Sequence, residues 1–193
     1  INKIINKTKI NFKFIDLGGG MGISYKKKEK QINLKEYSKI VSKFIKNKNA
    51  QIIFEPGRFI IGNTGILITK VIYIKKSSGK NFIILDAGMN DLMRPALYNA
   101  HHEIIPLKKT KKIMKGKIEF VGPVCESSDK FSNEKIFSQL KEGDYIALAN
   151  VGAYGMSLSS NYNTRPTIAE VAVSGSNCKI IKKRQSLESL INN

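Results

Sequence analysis

The sequence predicts an α/β segment followed by a mainly antiparallel β-domain, and two observations carry this fold class. Residues 12–54 contain two β-prone runs separated by a glycine loop and a helical apolar pattern, which is a βαβ unit with parallel strands. From residue 64 onward, β-prone runs alternate with turns that contain glycine, which is typical of antiparallel strands. We therefore expect two domains, residues 1–61 and 62–193.

The elements of the α/β segment are predicted from the spacing of their apolar residues. The run "FKFIDL" (12–17) is a short strand that ends in the glycine loop "GGGMG" (18–22). In residues 33–47, apolar side chains recur at helical spacing with lysines on the other face, and Asn33 is suited to cap the helix. The run "QIIF" (51–54) is the second strand.

The elements of the β-domain are predicted from β-prone runs and from the turns between them, such as "SSGK" (77–80). A short terminal helix is predicted for "SLESLINN" (186–193). The predicted strands are residues 64–76, 81–88, 115–124, 144–151 and 167–175.

The formal net charge of +18 comes almost entirely from lysine, in runs such as residues 26–30, 108–112 and 182–184. Lysine runs are usually solvated faces, whereas nucleic-acid binding requires basic residues gathered on one surface with aromatic or polar readers. We therefore predict no nucleic-acid partner. The alternative hypothesis is nucleic-acid binding, which predicts steeply salt-dependent binding to a duplex.

The cysteine count and the hydropathy pattern indicate a cytoplasmic protein. Cys125 and Cys178 are too few for a disulfide framework and lack the spacing of metal ligands, so no metal site is expected. No apolar run reaches the length of a transmembrane helix, and we expect no membrane association. The chain begins with Ile and lacks the apolar run of a signal peptide, so we expect a sequence that starts within a longer one.

Two glycine-bearing clusters follow the predicted strands of the α/β segment. In "DLGGGMG" (16–22), glycines after a strand let backbone N–H groups approach a phosphate, or they form a tight turn that needs positive φ. In "EPGR" (55–58), Glu55 could keep a heterocyclic nitrogen protonated while Gly57 and Arg58 face an anion. The alternative for "EPGR" is a Pro-Gly turn with a surface ion pair.

Three further clusters lie in the predicted β-domain. In "DAGMNDLMRPALYNAHHEI" (86–104), Arg94 and Tyr98 are four residues apart, which places guanidinium and phenol on one face of a helix and suits a carboxylate ligand. The adjacent histidines 101 and 102 are interpreted as surface or packing residues. The other two clusters are "GPVCESSD" (122–129) and "VGAYGMSLSSNYNTRP" (151–166), in which Tyr154 stands between glycines.

Together, these five clusters resemble the meso-diaminopimelate decarboxylases, a family of pyridoxal-phosphate enzymes of lysine biosynthesis. The resemblance runs from about residue 12 to residue 175. It implies the end of a TIM-type α/β barrel that binds pyridoxal 5′-phosphate, followed by the β-domain. It also implies a homodimer whose active site is shared between subunits, and an amino-acid substrate.

The resemblance also implies a role for individual residues. Cys125 would be the catalytic proton donor, and with Glu126 it would reach into the partner subunit's site. The implied cofactor-binding residues are Gly18, Gly19, Gly20, Glu55, Pro56, Gly57, Arg58 and Tyr154. The implied substrate-binding residues are Arg58, Arg94, Tyr98, Glu126 and Tyr154.

These residue types fit the chemistry of decarboxylation. A protonated pyridinium absorbs the carbanion left by CO2, and a thiol near neutral pKa is a competent acid for the α-carbon. An arginine for the distal carboxylate and a glutamate for the distal ammonium suit diaminopimelate, which would be converted to L-lysine. Ornithine has no distal carboxylate.

The sequence departs from the family's pattern in one respect that bears on activity. The family's Schiff-base lysine lies in an early barrel strand, and none of this chain's lysines has that context. We therefore expect the C-terminal half of such an enzyme, inactive by itself. The alternatives are a sister decarboxylase of the ornithine, arginine or carboxynorspermidine type, and a non-catalytic homologue that regulates a true decarboxylase.

Overall fold

The computed structural model describes residues 2–8, 10–26 and 29–192. The chain divides into two compact units, residues 1–62 and 63–193. The class predicted from the sequence, α/β plus a β-domain, is confirmed. Within the lysine run 26–30, Lys27 and Lys28 lie outside the described residues, as does Asn193 at the end of the predicted terminal helix.

The first unit contains the predicted βαβ arrangement. Strands β1 (Phe14–Asp16) and β2 (Gln51–Ile53) pair in parallel, with Ile15 opposite Ile52. Helix α2 (Leu34–Ile45) connects them. Because the two strands run in the same direction, the loops that follow them lie at the same edge of the sheet. These loops are the "GGGMG" and "EPGR" segments.

The N-terminus of helix α2 is capped as the sequence predicts. The Asn33 side-chain oxygen accepts hydrogen bonds from the backbone N–H groups of Lys35, at 3.1 Å, and Glu36, at 3.2 Å. These two bonds satisfy donors that lack intrahelical partners. Two further helices of this unit were not predicted: α1 (Asn2–Thr8) and α3 (Gly57–Ile61). Both are short, so their apolar periodicity is weak.

The second unit is built on a mixed sheet in the strand order β5-β8-β3-β4-β6-β7, beside an antiparallel β9-β10 hairpin. Its helices are α4 (Arg94–Tyr98) and α5 (Leu187–Ile191). The strands are β3 (Ile66–Ser77), β4 (Lys80–Leu85), β5 (Ile104–Pro106), β6 (Ile113–Val121), β7 (Lys130–Ser138), β8 (Tyr145–Ala149), β9 (Glu170–Ser174) and β10 (Asn177–Lys182).

The alternation of β3 places the core of this unit on one face of the sheet. Leu67, Thr69 and Val71 are buried, whereas the residues between them are exposed. The turn from β3 to β4 contains Ser78 and Gly79, both with positive φ, as a tight hairpin requires. The buried apolar cluster consists of Leu67, Val71, Ile83, Leu85, Ala87, Leu92, Ile104, Met114, Ile118, Phe120, Phe131, Leu140, Ile146 and Leu148.

One pairing in this sheet determines where the predicted site residues lie. β4 and β6 pair in parallel, whereas the other strand pairs of the sheet are antiparallel among the described residues. A parallel pair needs a crossover connection rather than a hairpin. That connection, residues 86–112, carries helix α4 with Arg94 and strand β5.

The sequence did not predict strands β5, β7 and β10. β5 has only three residues, too few for a period-2 pattern. In β7, polar residues occupy both faces because the strand lies at the sheet edge, and only Phe131 is buried. All residues of β10 are exposed, so its Lys179 and Lys182 mask the alternation.

A carboxylate between two ammonium groups crosses strands β4, β6 and β7. Glu119 accepts from Lys80 at 2.7 Å and pairs with Lys130 at 3.0 Å, and its side chain is 14% exposed. The hydrogen bond from Lys80 is the largest cause of a lowered pKa of Glu119. The ion pair therefore stabilises the fold above pH 4.5, and the stabilisation is lost as the pH falls through the lowered pKa.

Replacing Glu119 by Gln is expected to remove this pH-dependent part of the free energy of unfolding. Wild type should exceed Glu119→Gln in stability at neutral pH, and the difference should shrink as the pH falls below 4.5. Urea unfolding at a series of pH values measures it. The Lys80→Gln variant keeps the Lys130 partner of Glu119. Its stability at neutral pH should therefore lie between those of wild type and Glu119→Gln. A difference that does not change with pH would contradict the assignment.

Candidate functional site

The two glycine-bearing loops of the first unit lie side by side. The Glu55 N–H donates to the Gly18 carbonyl at 2.9 Å, and the Leu17 N–H donates to Ile53 at 3.0 Å. A Cβ on Gly19 would lie 2.3 Å from the Glu55 carbonyl oxygen, so only glycine fits there. The parallel strands thus bring "GGGMG" and "EPGR" into direct contact at one edge.

The geometry of the glycine loop fits an anionic group. Gly18 and Gly20 have positive φ, and a Cβ at either position would meet no atom within 4 Å. The backbone is therefore accessible from that side. The Gly18 N–H already donates to Asp16 Oδ1 at 2.7 Å, so the phosphate prediction rests on the amides of Gly19 and Gly20. The tight-turn interpretation is compatible with the same geometry.

The "EPGR" loop presents polar side chains to solvent. Glu55 and Arg58 are both exposed, and Gly57 begins helix α3. Gly57 N–H donates to the Glu55 carbonyl at 2.9 Å, which closes a tight turn around Pro56. The carboxylate of Glu55 is thus carried on a rigid turn beside the glycine loop.

In the second unit, the "DAGMND" segment is folded around the buried carboxylate of Asp91. Asp91 accepts from the Gly88 N–H at 2.9 Å and from the Asn90 side-chain amide at 3.2 Å. A guanidinium nitrogen of Arg165 lies 3.7 Å away. Desolvation by burial raises the pKa of Asp91, against the effect of the Gly88 hydrogen bond and of Arg165. The carboxylate fixes the turn that leads into helix α4.

Arg165 ties the polar loop of residues 156–166 to this turn. Its Nε donates to Asn90 Oδ1 at 2.9 Å, and another of its nitrogens donates to the Asp86 carbonyl. The Ser160 N–H donates to the Asn90 carbonyl at 2.9 Å. Two of the five sequence clusters are thereby joined through one arginine.

The loop that carries Cys125 and Glu126 is held by a second buried carboxylate. Asp129 is 3% exposed and accepts from the backbone N–H groups of Met89, at 2.7 Å, and Val124, at 2.8 Å. A Cβ on Gly122 would lie 2.2 Å from an Asp129 oxygen, so the first and last residues of "GPVCESSD" interlock. Desolvation raises the pKa of Asp129.

The functional groups of that loop point away from the core. Cys125 and Glu126 are exposed. Glu126 Oε1 accepts from the Ser127 hydroxyl at 3.3 Å and the Ser128 N–H at 3.4 Å. The loop therefore exposes a thiol and a carboxylate on a short backbone turn, which the buried Asp129 holds through the N–H group of Val124.

Arg94 and Tyr154, both predicted to bind substrate, lie together. Arg94 is the first residue of helix α4 and is 6% exposed. Its guanidinium carbon lies 5.9 Å from the centre of the Tyr154 ring. The backbone of Tyr154 has φ of 62°, and Gly155 follows it because a Cβ there would lie 2.4 Å from the Val151 carbonyl oxygen.

The remaining predicted residue of helix α4 is in a different environment. The helix itself forms as predicted, but Tyr98 is 63% exposed while Arg94 is buried. The two histidines interpreted as surface or packing residues have different environments. His101 is half-buried, whereas His102 is buried against Arg94, with its Nε2 3.2 Å from an Arg94 nitrogen.

An open cavity of about 440 Å³ lies in the second unit beside the Cys125 loop. It is lined by residues of the segments 95–101 and 127–133, among them His101, Ser127 and Ser128. Cys125, Glu126 and Arg94 are not among the lining residues, so the cavity does not coincide with the predicted substrate-binding residues.

Comparison with known proteins identifies the family. A family model described as "Pyridoxal-dependent decarboxylase, C-terminal sheet domain" matches residues 15–152. The chain belongs to the pyridoxal-dependent decarboxylases. All of the predicted site residues except Tyr154 lie within the matched range.

Individual relatives of this decarboxylase family carry more specific names. The chain is 43% identical to the diaminopimelate decarboxylase of Aquifex aeolicus over 94% of its length, and 45% identical to that of Zymomonas mobilis over 91%. It spans 43% and 42% of these relatives, less than half of each. The Helicobacter pylori diaminopimelate decarboxylase, crystallised with L-lysine, matches 99% of the chain with a TM-score of 0.89 and 42% identity, over 47% of that chain.

The described part of the chain contains neither a metal-binding cluster nor a membrane-spanning helix. Within residues 2–8, 10–26 and 29–192, no group of three or more His, Cys, Asp or Glu side chains is placed to bind a metal ion. Over the same residues, the helices are too short or too polar to cross a bilayer.

Three residues important to the site were not singled out from the sequence: Asp91, Asp129 and Arg165. Asp129 ends the quoted cluster "GPVCESSD", Arg165 is the penultimate residue of "VGAYGMSLSSNYNTRP", and Asp91 lies inside a third cluster. An aspartate that ends a glycine-bearing loop motif, as in "AGMND" and "GPVCESSD", is a signal for a loop-anchoring carboxylate, but it does not identify the amides that it binds. The Met89 amide bound by Asp129 is 40 positions away in sequence, and the Asp86 carbonyl bound by Arg165 is 79 positions away.

Removing the Asp129 carboxylate is expected to loosen the Cys125 loop. Asp129→Ala leaves the N–H groups of Met89 and Val124 without their acceptor, which costs about 3 kcal/mol and raises local opening by about 100-fold. Hydrogen–deuterium exchange at these two amides in the full-length protein measures the effect.

The matched control for this prediction is Asp144→Ala. Asp144 accepts one backbone hydrogen bond, from Lys141 at 2.8 Å, in a half-exposed turn before β8. The Asp144→Ala variant should leave hydrogen–deuterium exchange at the amides of Met89 and Val124 unchanged. If Asp129→Ala also leaves both amides protected, the anchoring role is wrong.

Proposed function

We propose that this chain supplies residues 1–61 to a pyridoxal-phosphate-binding TIM-type barrel and residues 62–193 to the β-domain of a diaminopimelate decarboxylase. The enzyme would convert meso-2,6-diaminopimelate to L-lysine and CO2. The observation that carries the proposal is the buried guanidinium of Arg94 beside Tyr154, on a scaffold 42–45% identical to proteins of that name.

The residues of the first unit suit the cofactor. Pyridoxal 5′-phosphate supplies an electron sink for the electron pair left when CO2 departs. The amides of Gly19 and Gly20, with Gly18 shaping the turn, bind its phosphate. Glu55 holds a proton on the pyridine nitrogen, Pro56 and Gly57 fix the turn, and Arg58 contributes a positive charge to the phosphate and a substrate carboxylate.

The residues of the second unit suit the substrate. Arg94 binds the distal carboxylate, because a guanidinium offers two parallel donors to a carboxylate. Tyr98 adds a hydroxyl donor, and Tyr154 packs its ring against the Arg94 guanidinium and contacts cofactor and substrate. Glu126 binds the distal ammonium. Cys125 delivers a proton to the α-carbon, because a thiol can act as a general acid near neutral pH.

The assembly that fits these roles is a cytoplasmic homodimer. Exposure of Cys125 and Glu126 in an anchored loop supports a role toward a second subunit's site. The covalent attachment of the cofactor is assigned to none of this chain's lysines, so the 193-residue chain by itself is expected to show no turnover. No nucleic-acid or membrane partner forms part of the proposal.

Substrate preference tests the proposed activity. The full-length enzyme should decarboxylate meso-diaminopimelate with kcat/KM at least about 100-fold above that for ornithine or arginine, because a substrate that lacks the distal carboxylate forgoes the charge-assisted hydrogen bonds to Arg94. Steady-state assays with the separate amino acids measure it. A preference for ornithine or arginine would favour the sister-decarboxylase hypothesis instead.

The role of Cys125 is tested against the other cysteine of the chain. Cys125→Ala should lower kcat for diaminopimelate by about 100-fold or more, because the general acid is lost. Cys178→Ala is the matched control, since Cys178 is also a free, exposed cysteine but lies in strand β10. Equal activity of the two variants would rule out Cys125 as the proton donor and favour a regulatory homologue.

A further inference from the structure

The side chain of Arg94 is held by a histidine whose tautomer the structure determines. His102 is 1% exposed. Its Nδ1 lies 2.9 Å from the Ala149 carbonyl oxygen, and its Nε2 lies 3.2 Å from Arg94 Nη1. A carbonyl only accepts, so Nδ1 carries the proton and Nε2 presents its lone pair to the arginine. This arrangement requires a neutral imidazole.

The surroundings of His102 keep the ring neutral. Desolvation is the largest cause of its lowered pKa, and Coulombic interactions with Arg94 and the neighbouring His101 act in the same direction. The hydrogen bond to Ala149 acts in the opposite direction. Glu103, the next residue, is half-buried, and its carbonyl accepts from the Ala149 N–H at 2.9 Å. Arg94 and His101 are thus the titratable neighbours that shift the pKa of His102.

One backbone segment supports the contacts of Arg94 with His102 and with Tyr154. Strand β8 ends at Ala149, whose carbonyl holds His102. The chain then turns through Asn150, with φ of 59°, and reaches Tyr154, whose ring faces the guanidinium. The position of Arg94 therefore depends on residues 149–154 in two ways, indirectly through His102 and directly through the Tyr154 ring.

We propose that His102 is a positioning residue that aims Arg94 at the substrate carboxylate when neutral and releases it when protonated. This inference rests on the proposed function, in which Arg94 binds that carboxylate. Protonation of Nε2 turns the acceptor into a donor and places two cations 3.2 Å apart, so the guanidinium leaves its position. For this reason, the affinity for diaminopimelate decreases as the pH decreases.

Protonation of His102 is also expected to lower the stability of the folded protein. A lowered folded-state pKa of a histidine means that its stabilising contribution is present above pH 6.5 and is lost as the pH falls through the lowered value. Binding of a substrate carboxylate to Arg94 favours the neutral ring, because it favours the positioned guanidinium. Substrate and proton thus oppose each other at His102.

The first test is the tautomer itself. Nitrogen-15 NMR of the full-length holoenzyme, labelled at histidine, should show a neutral ring with the proton on Nδ1 at neutral pH, assigned as the signal that disappears in His102→Gln. The His101→Gln variant should retain it. A charged ring, or a proton on Nε2, would overturn the inference without reference to activity.

The second test is the KM for diaminopimelate as a function of pH. His102→Ala should raise KM roughly ten-fold at neutral pH with little change in kcat, because a binding group is misplaced rather than lost from the chemistry. His102→Gln keeps an oxygen acceptor for Arg94 but does not titrate. It should restore KM near pH 8, at roughly two-fold of wild type or less, and lack the rise in KM below pH 6.5.

The matched control is His101→Gln, which should follow the wild-type profile. If His102→Gln shows the same acid rise in KM as wild type and His101→Gln, the inference is overturned while the proposed function stands. If the wild-type holoenzyme does not decarboxylate diaminopimelate at all, the proposed function fails, and the carboxylate-binding role of Arg94 and the positioning role of His102 fail with it.

Discussion

The loops of the β-domain depend on two buried carboxylates, Asp91 and Asp129. Asp91 accepts the backbone N–H of Gly88, and Asp129 accepts those of Met89 and Val124, which lie in loops without regular secondary structure to satisfy them. Burying a carboxylate is costly, and the raised pKa of both groups reflects that cost. Charge-assisted hydrogen bonds to backbone donors offset it. The result is a pair of short loops with a fixed backbone, and the loop anchored by Asp129 exposes Cys125 and Glu126.

The same carboxylates explain why several glycines are required. Gly122 leaves room for Asp129, and Gly88 donates its N–H to Asp91 while a Cβ there would lie 2.8 Å from an Asn90 oxygen. In the first unit, Gly19 allows the backbone of Glu55 to approach. The glycines in these motifs thus serve close backbone packing as well as any contact with a phosphate. Both uses follow from the lack of a side chain.

Arg94 shows how a charged group is accommodated inside a fold. A buried guanidinium without partners would be destabilising, and here one nitrogen lies near a neutral imidazole and one face lies toward an aromatic ring. Neither the neutral imidazole nor the aromatic ring carries a negative charge. A carboxylate bound to Arg94, as proposed above, would add charge-assisted hydrogen bonds that these two contacts do not supply.

The sequence by itself determined the class of fold, the βαβ unit, the cap at Asn33 and most long strands, because these follow from local periodicity and turn residues. It also located the five clusters, and family resemblance gave their residues roles. It did not determine that β4 and β6 pair in parallel, nor that Asp129 binds Met89 and His102 binds Arg94. Such contacts join residues distant in sequence, and their partners are backbone amides or a single ring nitrogen. No residue pattern encodes them, so only the tertiary structure decided which groups position the site.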